Sequence, residues 1–355
     1  MKNTLLLGTR KGLVVYKKET NGWEFHSQHF LGIPVTYAIK NEHNGIWWAC
    51  LDHGHWGCKM HWSKNEGATW QEIEAPKYPE GEVVKDEIPA KLEYIWSLAF
   101  DGEKIYVGTI PGGLFVSEKA GDDFKLVEGL WNHPSRQKHW FGGGFDHAGI
   151  HSIIIDSQDS NRILVGISCA GVFETTDGGN TWEVRNKGLR ADFLPEPDAE
   201  VGQDPHIVVA APSNPDVLWQ QNHCGIFRST NGAQSWEEIT ENGGPAKFGF
   251  AIAVDENDAD TAWVVPAVSD EVRVAVDTAL CVCHTEDGGK SWTALRNGLQ
   301  QENCFDITFR HALDITGNTL AFGTTNGNLY LSEDRGGDWH CWSNHLSPVY
   351  SVRFV

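Results

Sequence analysis

The chain has 355 residues, 40% of them hydrophobic, with 38 Gly, 16 Trp and a formal charge of −20 at pH 7. An acidic balance of this size argues against nucleic acid and anionic membrane as partners, because both require a basic face. Two or three domains would be usual at this length, but a closed all-β repeat adds units to one architecture, so a single domain over 1–355 is expected.

From the N-terminus, Met1-Lys2-Asn3-Thr4-Leu5-Leu6-Leu7-Gly8 is apolar but too short for a signal-peptide core, and no small-residue cleavage site follows it. No segment reaches transmembrane length. The eight Cys (Cys50, Cys58, Cys169, Cys224, Cys281, Cys283, Cys304 and Cys341) follow no framework spacing. Reduced thiols and a cytoplasmic location are therefore expected.

One pattern then recurs: a β-rich run, a hydroxyl residue, Asp or Asn, Gly, Ser or Thr, and an aromatic. A decayed copy ends at Trp23, and Ser63 to Trp70 carries Asn65 in the Asp position. A second decayed copy runs from Ser117 to Phe124. The fullest copies are Thr175-Thr176-Asp177-Gly178-Gly179-Asn180-Thr181-Trp182 and Thr285-Glu286-Asp287-Gly288-Gly289-Lys290-Ser291-Trp292. Between them, Ser229 to Trp236 carries Asn231 and Ala233. Ser332 to Trp339 is the last copy. In each, the Asp or Asn side chain bonds amides ahead of it, Gly supplies a positive φ, and the aromatic anchors the outer strand on a neighbouring sheet.

Seven copies about one blade apart predict an all-β, seven-bladed β-propeller. Blade four reads as strands over Gly149–Ile155, Ile163–Ile167, Gly171–Glu174 and Trp182–Arg185. Tyr94–Phe100, Ile207–Ala211, Phe250–Val254 and Phe305–Phe309 read as the first strands of other blades. The chain opens on a second strand, Thr4 to Gly8, so Pro348–Val355 is expected to supply the missing first strand and complete blade one.

The turns join third to fourth strands and so share one rim, and their Asp residues read as structural. Function is expected on the opposite loops, held by the scaffold. Those loops hold Asp52-His53-Gly54-His55-Trp56, the insertion from Trp131 to His147 with His151, the acidic run to Asp204 and His206, Asn222-His223, and Arg273. The residue types suit a polar pocket at the mouth of a central channel, where His53, His147, His206 and His223 are expected to converge.

Glu93, Asp146, His147, Asp204, His206 and Asp306 are the acid–base candidates. The ligand-binding candidates are Arg10, His53, His55, Trp56, Arg136, His139, Trp140, Asn222, His223 and Arg273. A divalent metal ion would draw on His53, His55, His147, His151, His206 and His223, although no HExxH or CxxC spacing defines a site. The competing account is that these polar side chains bond one another to order long loops.

The repeated turn resembles the Asp-box, or BNR, motif of sialidases, sortilin-type receptors, propeller xyloglucanases and photosystem II stability and assembly factors. The tracts Leu51–Lys59, Gly188–His206, Leu218–Ser229 and Ala262–Cys283 are similar to bacterial sialidase-like proteins labelled glycosyl hydrolase. The resemblance implies a small polar or carbohydrate ligand and hydrolysis of glycosidase type. It equally implies a non-catalytic scaffold with a protein partner. The sequence departs from a typical sialidase: the repeat count is seven rather than six, and Gly32-Ile33-Pro34 lacks the expected Arg before Ile-Pro.

Overall fold

The chemistry of the repeated turn sets the local architecture. In the copy from Thr175 to Trp182, the Thr175 hydroxyl donates to Asp177 Oδ1 (2.8 Å) and accepts the Gly179 amide (2.9 Å). Asp177 accepts the Thr181 amide at Oδ1 (2.9 Å) and the Thr181 hydroxyl at Oδ2 (2.7 Å). The hydroxyl–carboxylate–amide pattern recurs around Asp287 and Asp334, and with an amide side chain at Asn65 and Asn231. Gly179 needs its freedom here, because its φ is +100°. Amides that the reversal would strand are thereby bonded within the turn. The Thr181 amide and hydroxyl hold the Asp177 carboxyl at about 2, and the Ser291 hydroxyl and amide do the same for Asp287.

In the computed structural model, which describes residues 2–355, these turns join third to fourth strands within an all-β propeller whose blades are seven four-stranded antiparallel sheets. Blade two comprises Val35–Lys40, Trp47–Asp52, Cys58–Ser63 and Gln71–Ile73. Blade three comprises Tyr94–Asp101, Lys104–Ile110, Leu114–Ser117 and Lys125–Leu126, and blade four Ile150–Ile155, Ile163–Ile167, Gly171–Thr175 and Glu183–Val184. Blade five is Pro205–Ala211, Asn214–Asn222, Gly225–Ser229 and Glu237–Glu238; blade six is Gly249–Val254, Ala262–Pro266, Val282–Thr285 and Thr293–Leu295. Blade seven is Leu313–Thr316, Thr319–Gly323, Leu329–Ser332 and His340–Ser343. No helix among the described residues is long and apolar enough to cross a membrane.

Blade one takes its first strand from the far end of the chain. Val349–Phe354 pairs with Thr4–Thr9 from Leu5↔Phe354 to Thr9↔Val349, and Gly12–Glu19 and Gly22–His29 follow in order. Around this strand the Phe354 amide donates to Asp314 Oδ2 (2.8 Å) and Arg353 Nη1 donates to the His311 carbonyl (2.9 Å).

The chain divides into two compact units, 39–205 and 1–38 with 206–355; the strands Val35–Lys40 and Pro205–Ala211 run across the divisions. Within 39–205, alternate residues Ile163, Val165 and Ile167 of blade four share a core with Tyr106 and Leu114 of blade three, closed by Leu130 and Trp140 from the insertion between those blades. Within the other unit, Trp263 and Val265 of blade six pack with Leu313, Leu320 and Phe322 of blade seven. Burying each such side chain contributes about 1.5–3 kcal/mol. The closing aromatics tie blade to blade: Trp292 Nε1 donates to the Ile239 carbonyl beside blade five at 3.0 Å.

One expected strand is absent. Phe305–Phe309 forms no strand, and blade seven starts instead at Leu313. The buried Asp306 carboxylate accepts Thr324 Oγ1 (3.1 Å) and Asn328 Nδ2 (2.7 Å), so this run is held against a turn while Phe305 stays 58% exposed.

Candidate functional sites

The insertion between blades three and four builds the first site from one central cation. Two short helices, Glu128–Trp131 and Arg136–His139, bring Arg136 beneath Trp131, with the guanidinium carbon 3.7 Å from the ring centroid. Arg136 is buried. Its Nη1 donates to the Val83 (3.1 Å) and Val84 (2.5 Å) carbonyls, and its Nε donates to the Trp131 carbonyl. Trp131 Nε1 donates in turn to Glu82 Oε2 (2.5 Å), and Trp140 Nε1 donates to Ser135 Oγ (3.1 Å). Arg136 is therefore engaged with backbone, a positioning role rather than the ligand clamp expected for it.

Over this support lies a cavity of about 210 Å³, lined by Trp131, Arg136, Trp140, Phe141, Asp146 and His147 among others. His147 Nε2 lies 3.6 Å from Glu93 Oε1, close enough for an ion pair when the imidazole is protonated. The expected pair Asp146 and His147 thus reaches one pocket with Arg136 and Trp140, and Glu93 stands beside it. Cys58 donates to the Glu93 carbonyl (3.2 Å); burial, with the Asp52 charge next, pushes its thiol up to about 12, so it stays protonated at neutral pH.

The second site gathers at the start of blade five. His206 lies in the strand Pro205–Ala211, and His223 follows the paired strand Asn214–Asn222. Their ring centroids are 5.7 Å apart. His206 stacks on Phe250 (4.5 Å, 20°), and Phe248 meets both imidazoles edge-on at 5.3 and 5.9 Å. His206 Nδ1 is 2.6 Å from the Gly249 carbonyl, so Nδ1 carries a proton and donates it to that carbonyl. Asp204, one residue before the strand, is also buried; its Oδ1 accepts the Cys169 amide (3.0 Å) and the Ser168 hydroxyl (3.1 Å). Arg273 and Arg310 lie over the Phe250 ring at 5.5 and 5.3 Å.

The other expected residues each have surroundings of their own. His53 begins the 3-10 turn Gly54–Trp56 and lies within electrostatic reach of His61 and Glu72 on the outer strands of blade two. His55 and Trp56 are exposed and touch each other edge to face at 5.4 Å. His139 is exposed. His151 is buried against Trp96 and bonds Ser152 Oγ at 2.9 Å.

Asn222 is buried, donating to Gln220 Oε1 (2.6 Å) and accepting the Cys224 amide (3.0 Å), which suits a turn rather than a ligand. Asp306 is the loop clamp described above. Arg10 is exposed, its amide donating to the Pro348 carbonyl (2.9 Å), and Arg273 pairs with Asp270. Phe248, Phe250 and Arg310 were not among the expected site residues. Phe248-Gly249-Phe250 reads only as the opening of a strand, and nothing in its pattern announces a wall around two imidazoles.

No protein-family model matches the chain, and no curated protein matches it. Among solved structures it is similar to an ancestral GH74 enzyme, with a TM-score of 0.59 and 18% identity over 90% of this chain. The chain spans only 38% of that enzyme. It is also similar to YCF48 from Cyanidioschyzon merolae, with a TM-score of 0.58 and 13% identity, covering 92% of this chain and 95% of that one. For YCF48 bound to D1 peptide the TM-score is 0.55 at 13% identity, over 87% of this chain and 82% of that one. At these identities the likeness establishes the shared propeller fold.

Proposed function

We propose that the chain binds a small carbohydrate or similar polar ligand in the cavity of the blade three–four insertion, with Glu93 and His147 as its proton-transfer pair. The observation that carries this reading is the cavity of about 210 Å³ where indole faces meet Asp146 and His147 over the Arg136 support. Aromatic faces suit the apolar side of a sugar ring, and convergent polar groups fix its hydroxyls. A carboxylate–imidazole pair 3.6 Å apart can take and return one proton, as hydrolysis of glycosidase type requires. Similarity to a GH74 enzyme supports this class of ligand.

The test is titration of the purified protein with a panel of neutral and acidic oligosaccharides, read by tryptophan fluorescence and calorimetry. Release of reducing ends is followed in parallel. Binding by the wild type, weakened at least about tenfold in His147→Ala and Asp146→Asn, is the expected result. Absence of binding and of hydrolysis across the panel would overturn the reading.

A protein partner is the second reading. It draws on similarity to YCF48 bound to D1 peptide, and on the exposed apolar side chains Ile88 (48%) and Phe145 (41%) near the same cavity.

A further inference from the structure

We propose that the connection from blade six to blade seven holds a second, non-catalytic binding site that takes a neutral carbohydrate. The cavity there has a volume of about 560 Å³, inside the roughly 300–1,000 Å³ of small-ligand sites. It lies between residues 298–306 of that connection and the strand ends and loops of blade seven, all within the unit 1–38 with 206–355.

Backbone bonds set both walls of this cavity. On the blade six side, the Leu280 amide donates to the Gln300 carbonyl (2.8 Å) and the Cys304 amide to the Thr278 carbonyl (2.9 Å). On the blade seven side, the Leu346 amide donates to the Gly327 carbonyl (3.0 Å). Gly327 has a φ of +88°, and a Cβ there would stand 1.7 Å from the Leu346 carbonyl oxygen, so only glycine fits. The Asp306 carboxylate clamps one wall to the other through Thr324 and Asn328, and the clamped run leaves Phe305 largely exposed at the cavity.

The lining selects the ligand. Gln300, Asn303, Asn326 and Asn344 are exposed and line the cavity, and each side-chain amide offers both donors and an acceptor, as sugar hydroxyls require. Among the described residues, the side chains of Asn303, Asn326 and Asn344 bond no other group, whereas Asn328 is spent on the Asp306 clamp. Phe305 adds a ring face of the kind that packs on the apolar side of a sugar. No Lys or Arg is among the lining residues, while Glu302 and Asp306 are, so an anionic ligand is disfavoured. Hydrolysis is disfavoured as well. Each Asp306 oxygen already accepts a hydrogen bond, and no imidazole is among the lining residues to partner Glu302 in proton transfer. Burial raises the Cys304 and Cys341 thiols, which therefore stay protonated and are poor nucleophiles.

The experiment titrates the whole chain with cellotriose, maltotriose and mannotriose, and with a trimer of galacturonic acid, read by calorimetry. Each titration is repeated in His147→Ala, which separates this site from the cavity between blades three and four. Binding of at least one neutral trisaccharide is expected to persist in His147→Ala and to weaken about tenfold or more on adding Phe305→Ala or Asn303→Gly. Asn303 has a φ of +54°, which glycine adopts freely, so Asn303→Gly removes the amide without straining the loop. Phe305 is exposed, so its truncation spares the core, and circular dichroism confirms that each variant is folded. A protein that binds no neutral trisaccharide once His147 is replaced would overturn the inference. So would Phe305 and Asn303 variants that bind as tightly as their parent, or a galacturonate trimer bound in that parent as tightly as the neutral sugars.

Discussion

The repeated turns and the loops at the opposite ends of the strands solve the same problem by different means. Both must satisfy the polar groups of a chain that reverses direction. In a turn such as Thr175 to Thr181 the side-chain bonds span two to four residues, and the set repeats almost unchanged at Asp287 and Asp334. In the opposite loops the bonds reach far: Arg136 to Val83 spans 53 residues, His206 to Gly249 spans 43, and Asp204 to Cys169 spans 35. Short-range bonds make a motif that can be copied. Long-range bonds make a site that is specific to one place, and each depends on a partner that only the finished fold supplies.

The largest expected effect breaks a long-range anchor. Arg136→Ala removes donors to three carbonyls and the stack on Trp131, leaving one buried and two half-buried acceptors without that partner. A loss of about 3 kcal/mol is expected from urea unfolding midpoints, and Arg136→Lys should recover little of it because a single ammonium cannot copy the fork. A change under about 1 kcal/mol would show that the insertion is supported by packing alone.

The next effect concerns acid. Asp177 and Asp287 are held at about 2, below the 3.8 of an unperturbed carboxyl. Their contribution is complete above that unperturbed value and is lost as pH falls through about 2. Because both side chains face water, the slope should be small. The double variant Asp177→Asn, Asp287→Asn should flatten the stability curve between pH 4 and 2, measured by thermal unfolding; an unchanged slope would locate acid sensitivity elsewhere.

The smallest effect sharpens the repeat. Ala233 sits at φ +66°, where the fuller turns carry glycine. Ala233→Gly should stabilise the protein by about 0.5 kcal/mol through relief of left-handed strain, seen as a small rise in melting temperature.

This contrast also explains what could be read beforehand. The seven blades were legible because each turn announces itself within eight residues, and the pairing of Pro348–Val355 with the first blade followed from a missing strand. Phe305–Phe309 misled because its apolar alternation suits a strand, whereas Asp306 ties it to Thr324 and Asn328 in the next loop. Of the site residues, Asp146 and His147 reached a common cavity with Arg136, and His206 came beside His223. His53 lies between the strand Trp47–Asp52 and the 3-10 turn Gly54–Trp56, within electrostatic reach of His61 and Glu72 of its own blade. Counting histidines on loops identifies the face. It does not distinguish an imidazole aimed along a strand pair from one carried outward on a 3-10 turn.

Blade one joins two strands that lie far apart in the sequence, Thr4–Thr9 and Val349–Phe354. During synthesis Thr4–Thr9, with Leu5, Leu6 and Leu7, emerges with one neighbour, Gly12–Glu19, close behind it, whereas its other neighbour, Val349–Phe354, follows only after the six other blades. At ordinary translation speeds of about 5–20 residues per second, that edge waits on the order of tens of seconds before Val349–Phe354 leaves the ribosome. Throughout that interval the nascent chain carries an apolar strand with an open side, so a chaperone's protection would matter most for its opening residues.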